Sequence, residues 1–174
     1  MLQQADIQQK IIRYLRIQFK GDLKFNEISA FRGGIINKAG KKHILFHNHT
    51  GDNSFLYKYP CIQYKSFAQK PGIVCLEQGV DEIHHLFQGN DWEIDLKGKP
   101  IKLEIDKIDL RSFTLQTSNS QIQYSISNWM PLNQVNYALY MKLPSLRDRI
   151  TFLEKILTAN ILSFAKGMDW TIKE

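Results

Sequence analysis

The residues best suited to chemistry are Phe46-His47-Asn48-His49 and, close behind, Tyr57-Lys58-Tyr59-Pro60-Cys61-Ile62-Gln63-Tyr64-Lys65. On an extended backbone residues two apart point to one side, so His47 and His49 can act as a pair. A neutral imidazole takes a proton and an imidazolium gives one, both near physiological pH. In RNA cleavage one ring would deprotonate a ribose 2′-hydroxyl, which attacks the adjacent phosphate. The other would protonate the departing 5′-oxygen. Lys65, Arg32 and Lys42 are cations that could stabilise the phosphorane, so the chemistry needs no metal or cofactor. The competing readings are two ordinary turn histidines, or a zinc site shared with His84-His85. Zinc is disfavoured because no Asp, Glu or Cys with matching spacing joins the pair.

Read as a strand, residues 55–65 carry Phe55, Tyr57, Tyr59, Gln63 and Lys65 on one face, a surface on which bases could stack. Pro60 cannot donate to a ladder, which predicts an edge or a bulge there. A bulge would exchange the faces beyond it. Tyrosines also suit any half-buried strand. Arg32-Gly33-Gly34 could bring backbone N–H groups to a phosphate, or could pack a helix closely. No Walker loop, dinucleotide fingerprint or serine elbow occurs.

The 174 residues suffice for one ordinary domain or two small ones. A net charge of +6 is unevenly spread: residues 1–75 carry +8, residues 76–110 carry −5 and residues 111–174 carry +3. A basic field around the histidine pair favours polyanions such as RNA. Cys61 and Cys75 lie in apolar runs and read as buried thiols of a reducing compartment. The polar start of the chain and the lack of a long apolar run predict a cytoplasmic protein with no membrane partner.

Periodicity predicts a strand at 11–19 and a helix from Asn26 through Ile28, Phe31, Ile35 and Ile36. A strand over 55–67, a turn at Lys70-Pro71-Gly72 and a strand over 73–76 follow. A short helix over 80–87 and strands over 92–96 and 101–108 complete the set. This order matches the α+β ferredoxin-like βαββαβ unit. It places an N-terminal domain at 1–100 and a second, C-terminally shortened ferredoxin-like domain at 101–174. Strands over 112–117 and 121–127 open that second part. Its clearest helix is capped by Ser145, striped by Leu146, Ile150, Leu153, Leu157, Ile161 and Phe164, and stopped at Gly167.

Phe31-Arg32-Gly33-Gly34-Ile35-Ile36, Phe46-His47-Asn48-His49, Tyr59-Pro60-Cys61-Ile62-Gln63-Tyr64-Lys65 and Glu77-Gln78-Gly79-Val80-Asp81 occur in one order at close spacing. Together with residues 153–167 they resemble the CRISPR-associated endoribonucleases that cut precursor CRISPR RNA within its repeats. The resemblance implies tandem ferredoxin-like domains and metal-independent cleavage to a 2′,3′-cyclic phosphate. It implies His47 or His49 as acid or base, with His49 favoured for its nearness to the Gly51 turn, and help from Tyr57 or Tyr59. Family members usually end in a glycine-rich, RNA-holding loop that is not found here. This leaves a non-cleaving RNA-binding module or effector-complex subunit as the alternative. Open sheet edges make a homodimer a reasonable expectation.

Overall fold

The computed structural model describes residues 9–47, 59–89, 91–118, 120–126 and 129–172. Two compact units emerge, one over Gln9–Leu115 and the other formed by Met1–Gln8 with Gln116–Glu174.

In the first unit β1 (Gln9–Phe19) leads through a 3-10 turn (Phe25–Glu27) into α1 (Ile28–Ala39). Glu27, not Asn26, closes this entry, its carboxylate accepting from the Lys24 N–H at 3.0 Å. β2 (Ile62–Phe67) and β3 (Lys70–Leu76) follow as a hairpin. Its two-residue loop is Ala68-Gln69, both at positive φ, as a tight right-twisting hairpin requires. Lys70-Pro71-Gly72, expected as the turn, is instead the start of β3. A short helix α2 (Gln78–Glu82) continues as a 3-10 turn (Ile83–Phe87).

The sheet order is β2-β3-β1-β6, with β6 running Ile105–Gln116. The β1–β3 and β2–β3 pairs are antiparallel. This is the ferredoxin-like order, so the fold class is as the sequence predicts. The strand that completes it is β6. The segment expected to do so forms a separate hairpin, β4 (Glu93–Leu96) with β5 (Lys99–Lys102). Lys97 and Gly98 both take positive φ, which closes that hairpin locally. Because β6 belongs to the sheet, the first unit extends to Leu115, beyond the boundary drawn near residue 100.

Alternation along β1 turns Leu15, Ile17 and Phe19 inward. They meet Phe31 and Ile35 of α1, Ile62 of β2, and Ile73 and Cys75 of β3 in one core cluster. Burial pushes the Cys75 thiol up to about 12, which leaves it inert. Gly34 lets α1 approach β4: a Cβ there would lie 2.8 Å from the Asp95 carbonyl oxygen. The Gly33-Gly34 pair therefore serves helix packing through its second member.

The second unit contains α3 (Gln134–Met141), capped by Asn133, and α4 (Leu146–Gly167). The Ser145 side chain accepts from the Asp148 N–H at 3.1 Å and α4 ends at Gly167, as the sequence pattern predicts. Residues 121–126, expected as a strand, have no regular structure. Among the described residues no helix is long and apolar enough to cross a membrane.

Candidate active site

β2 is an edge strand of the sheet. After α1 the chain turns at Gly40, where φ is +94°, and forms a 3-10 turn at Ile44–Phe46. Phe46 is buried in the core and fixes the turn. His47 follows directly. An open cleft of about 330 Å³ is lined by Arg32, Phe46, His47, Pro60, Ile62, Gln63, Tyr64 and Lys65.

Two side chains hold the backbone at the histidine. Arg32 of α1 donates from Nη2 to the His47 carbonyl oxygen at 2.9 Å. The Tyr64 hydroxyl of β2 donates to the Phe46 carbonyl oxygen, also at 2.9 Å. Burial holds the Tyr64 hydroxyl well above its usual range, so it stays protonated and remains a donor. The imidazole itself is oriented by Nε2, 2.8 Å from the Lys41 carbonyl oxygen. A carbonyl only accepts, so Nε2 carries hydrogen and the basic lone pair of the neutral ring lies on Nδ1.

Of the residues singled out from the sequence, His47, Arg32, Gln63 and Lys65 come together around one cleft. Arg32 and Lys65 are exposed and give it positive charge. Gln63 is tied to the local backbone through Nε2, 3.2 Å from the Pro60 carbonyl oxygen. Lys42 is exposed and Tyr59 half-buried, and neither is among the lining residues. His49 and Tyr57 lie outside the described residues. Pro60 precedes the edge strand, in keeping with its missing N–H. The residue sequence reasoning missed is Tyr64, whose hydroxyl anchors the histidine turn. Its place in an alternating strand gave a face but no partner.

Comparison with known proteins extends the match over both units. A family profile described as Cas6b N-terminal domain fits residues 10–114, and one described as Cas6b C-terminal domain fits residues 116–174. A crystal structure of Cas6b superposes with a TM-score of 0.76 at 26% identity, covering 95% of this chain and 76% of the other. A second, of the CRISPR RNA processing endoribonuclease Cas6b, shares the fold at 22% identity and a TM-score of 0.57, covering 95% and 73%. An uncharacterized protein of Methanocaldococcus jannaschii is 34% identical over 83 residues, which are 47% of this chain and 56% of that one. The chain thus spans little more than half the length of that curated relative. With both domain profiles matched in order on either side of the division between the two units, the chain belongs to the Cas6b family.

Proposed function

We propose that this chain is a metal-independent endoribonuclease acting on precursor CRISPR RNA within its repeats. The observation that carries the reading is the cleft beside edge strand β2, where an oriented imidazole shares the lining with two cations in a Cas6b-family N-terminal domain. RNA would enter along that edge, its backbone held by Lys65 and by the guanidinium N–H groups of Arg32 not engaged on His47. Arg has five such donors, so one side chain can serve both tasks.

His47 and His49 divide the acid and base roles. One takes the 2′-hydroxyl proton as the 2′-oxygen bonds to phosphorus. The other delivers a proton to the 5′-oxygen as the P–O5′ bond breaks, leaving a 2′,3′-cyclic phosphate and a 5′-hydroxyl. Tyr59 or Tyr57 would assist at the reacting phosphate, and Gln63 and Lys42 would contact flanking nucleotides. Each of these reactions is carried by side chains, with no cofactor. A second copy of the chain or a CRISPR effector subunit is the protein partner we infer, and the cytoplasm the site of action. The part that follows Leu115 is proposed to be a second ferredoxin-like domain.

The test is incubation of the protein with end-labelled repeat RNA in EDTA, beside the His47→Ala/His49→Ala variant. A single cut ending in a 2′,3′-cyclic phosphate, absent in the variant, supports the reading. RNA that is retarded on a gel but left intact overturns it in favour of a binding module.

A further inference from the structure

His43, Glu82 and His85 meet on the side of the first unit where the α1–β2 connection passes α2 and the 3-10 turn after it. Glu82 and His85 are one helical turn apart, so their side chains share a face. The Glu82 carboxylate lies 3.7 Å from His43 Nδ1 and 3.5 Å from His85 Nε2. The two imidazoles stack with ring centres 3.7 Å apart. One ligand atom from each residue lies within 4.8 Å of the other two.

These separations have a meaning in coordination chemistry. Both carboxylate–imidazole distances exceed the 3.2 Å or so of a good N–H···O hydrogen bond, so the three groups face one another without closing on themselves. Bonds of about 2.0–2.2 Å to a tetrahedral zinc place neighbouring ligand atoms about 3.3–3.6 Å apart; the carboxylate–imidazole distances of 3.5 and 3.7 Å lie near that range, and the stacked rings would turn apart to bring both nitrogens onto one ion. The histidines are mostly withdrawn from solvent, with side-chain exposures of 14% for His43 and 20% for His85. His85 Nδ1 is also buried and has no hydrogen-bond partner. It is the ring nitrogen opposite Nε2, the atom that faces Glu82, and so lies outside the triad.

We propose that His43, Glu82 and His85 form a binding site for a zinc-class divalent cation, with water completing the coordination. Zinc, cobalt and nickel suit two imidazoles and one carboxylate. None of the three residues lines the His47 cleft, so the ion would be structural. It would tie the segment that leads into His47 to the helical turn carrying Glu82 and His85. The proposal is independent of the nuclease reading, because an inactive protein would still bind the ion.

The experiment is a calorimetric titration of the full chain with zinc chloride, after EDTA stripping and removal of the chelator. One equivalent is expected to bind and to raise the melting temperature, since a ligand that binds the folded state stabilises it. His43→Ala and Glu82→Gln should each weaken binding by about tenfold or more, and Glu82→Gln keeps the side-chain shape should His43→Ala fold poorly. His47→Ala/His49→Ala should bind as the parent does. Absence of a one-equivalent site, or equal binding by Glu82→Gln and the parent, would overturn the assignment. So would loss of binding in His47→Ala/His49→Ala alone, which would move the site to the histidine pair.

Discussion

The guanidinium of Arg32 donates a hydrogen bond to the main-chain carbonyl of His47, 2.9 Å away, across a helix and the connection that follows it. The contact fixes the backbone of the histidine rather than its ring. A displacement of an ångström at a reacting group costs on the order of a hundredfold in rate. Arg32→Ala is therefore expected to lower single-turnover cleavage of repeat RNA by about ten- to a hundredfold. RNA affinity measured by filter binding should fall as well, and more steeply at low salt. An unchanged cleavage rate would show that the anchor is dispensable.

Tyr64 supplies the second anchor, and its ring contributes separately from its hydroxyl. Phe31 meets the ring edge to face at 6.2 Å, while the hydroxyl reaches the Phe46 carbonyl. Tyr64→Phe keeps the first and removes the second. We expect a loss of about 0.5–1.5 kcal/mol in urea unfolding, the net value of one hydrogen bond. A greater proportional loss should appear in cleavage than in RNA binding, because the turn before His47 is released.

Adjacent glycines of α1 make opposite predictions. A Cβ on Gly33 would meet nothing within 4 Å, whereas one on Gly34 would press on the Asp95 carbonyl oxygen and on Ile94. Gly33→Ala should raise stability by about 0.5–1 kcal/mol through helix propensity. Gly34→Ala should lower it by about 1–3 kcal/mol through overpacking. Thermal melts of the two variants decide the matter directly, and matching shifts would contradict the packing described for α1 and β4.

Acid should uncover one ion pair in particular. Hydrogen bonds from Lys70, at 2.8 Å, and Gln18, at 3.0 Å, hold the Asp106 carboxyl below the usual carboxylate range. A carboxyl depressed in the folded state stabilises fully above its unfolded pKa of about 3.9. That contribution fades as pH falls through the lower folded value. The parent should thus melt above Asp106→Asn at neutral pH, and the gap should close as the pH falls below the unfolded carboxylate pKa. A gap independent of pH would remove Asp106 from the ion pair.

Local signals carried most of what the sequence revealed. Ser145, Asp148 and Gly167 bound α4 by capping chemistry that needs no tertiary partner, and the apolar alternation of β1 is equally local. The identity of the fourth sheet strand was not local. Residues 92–96, 101–108 and 112–117 each read as a separate strand, whereas the last two merge from Ile105 onward into β6 and the Lys97-Gly98 turn pairs the first with β5. The weakly patterned α3 escaped notice for want of an apolar stripe long enough to register. At the site, residue types disclosed His47, Arg32, Gln63 and Lys65, but not that Tyr64 would bond to Phe46, a contact spanning eighteen residues. The meeting of His43 with Glu82 and His85 was hidden for the same reason, since its members are separated by nearly forty positions of chain.

The connection that bears His47 leaves α1 at Gly40, whose N–H bonds back to Ile36 at 2.9 Å. It rejoins the scaffold at Cys61, whose carbonyl accepts from the Leu76 N–H at 2.8 Å. Both ends are thus fastened to elements of the scaffold, and among the connection's described residues Phe46 is the one buried in the core cluster. Around the positions proposed to react, the stretch between these two anchors can change in sequence without disturbing the register of the sheet.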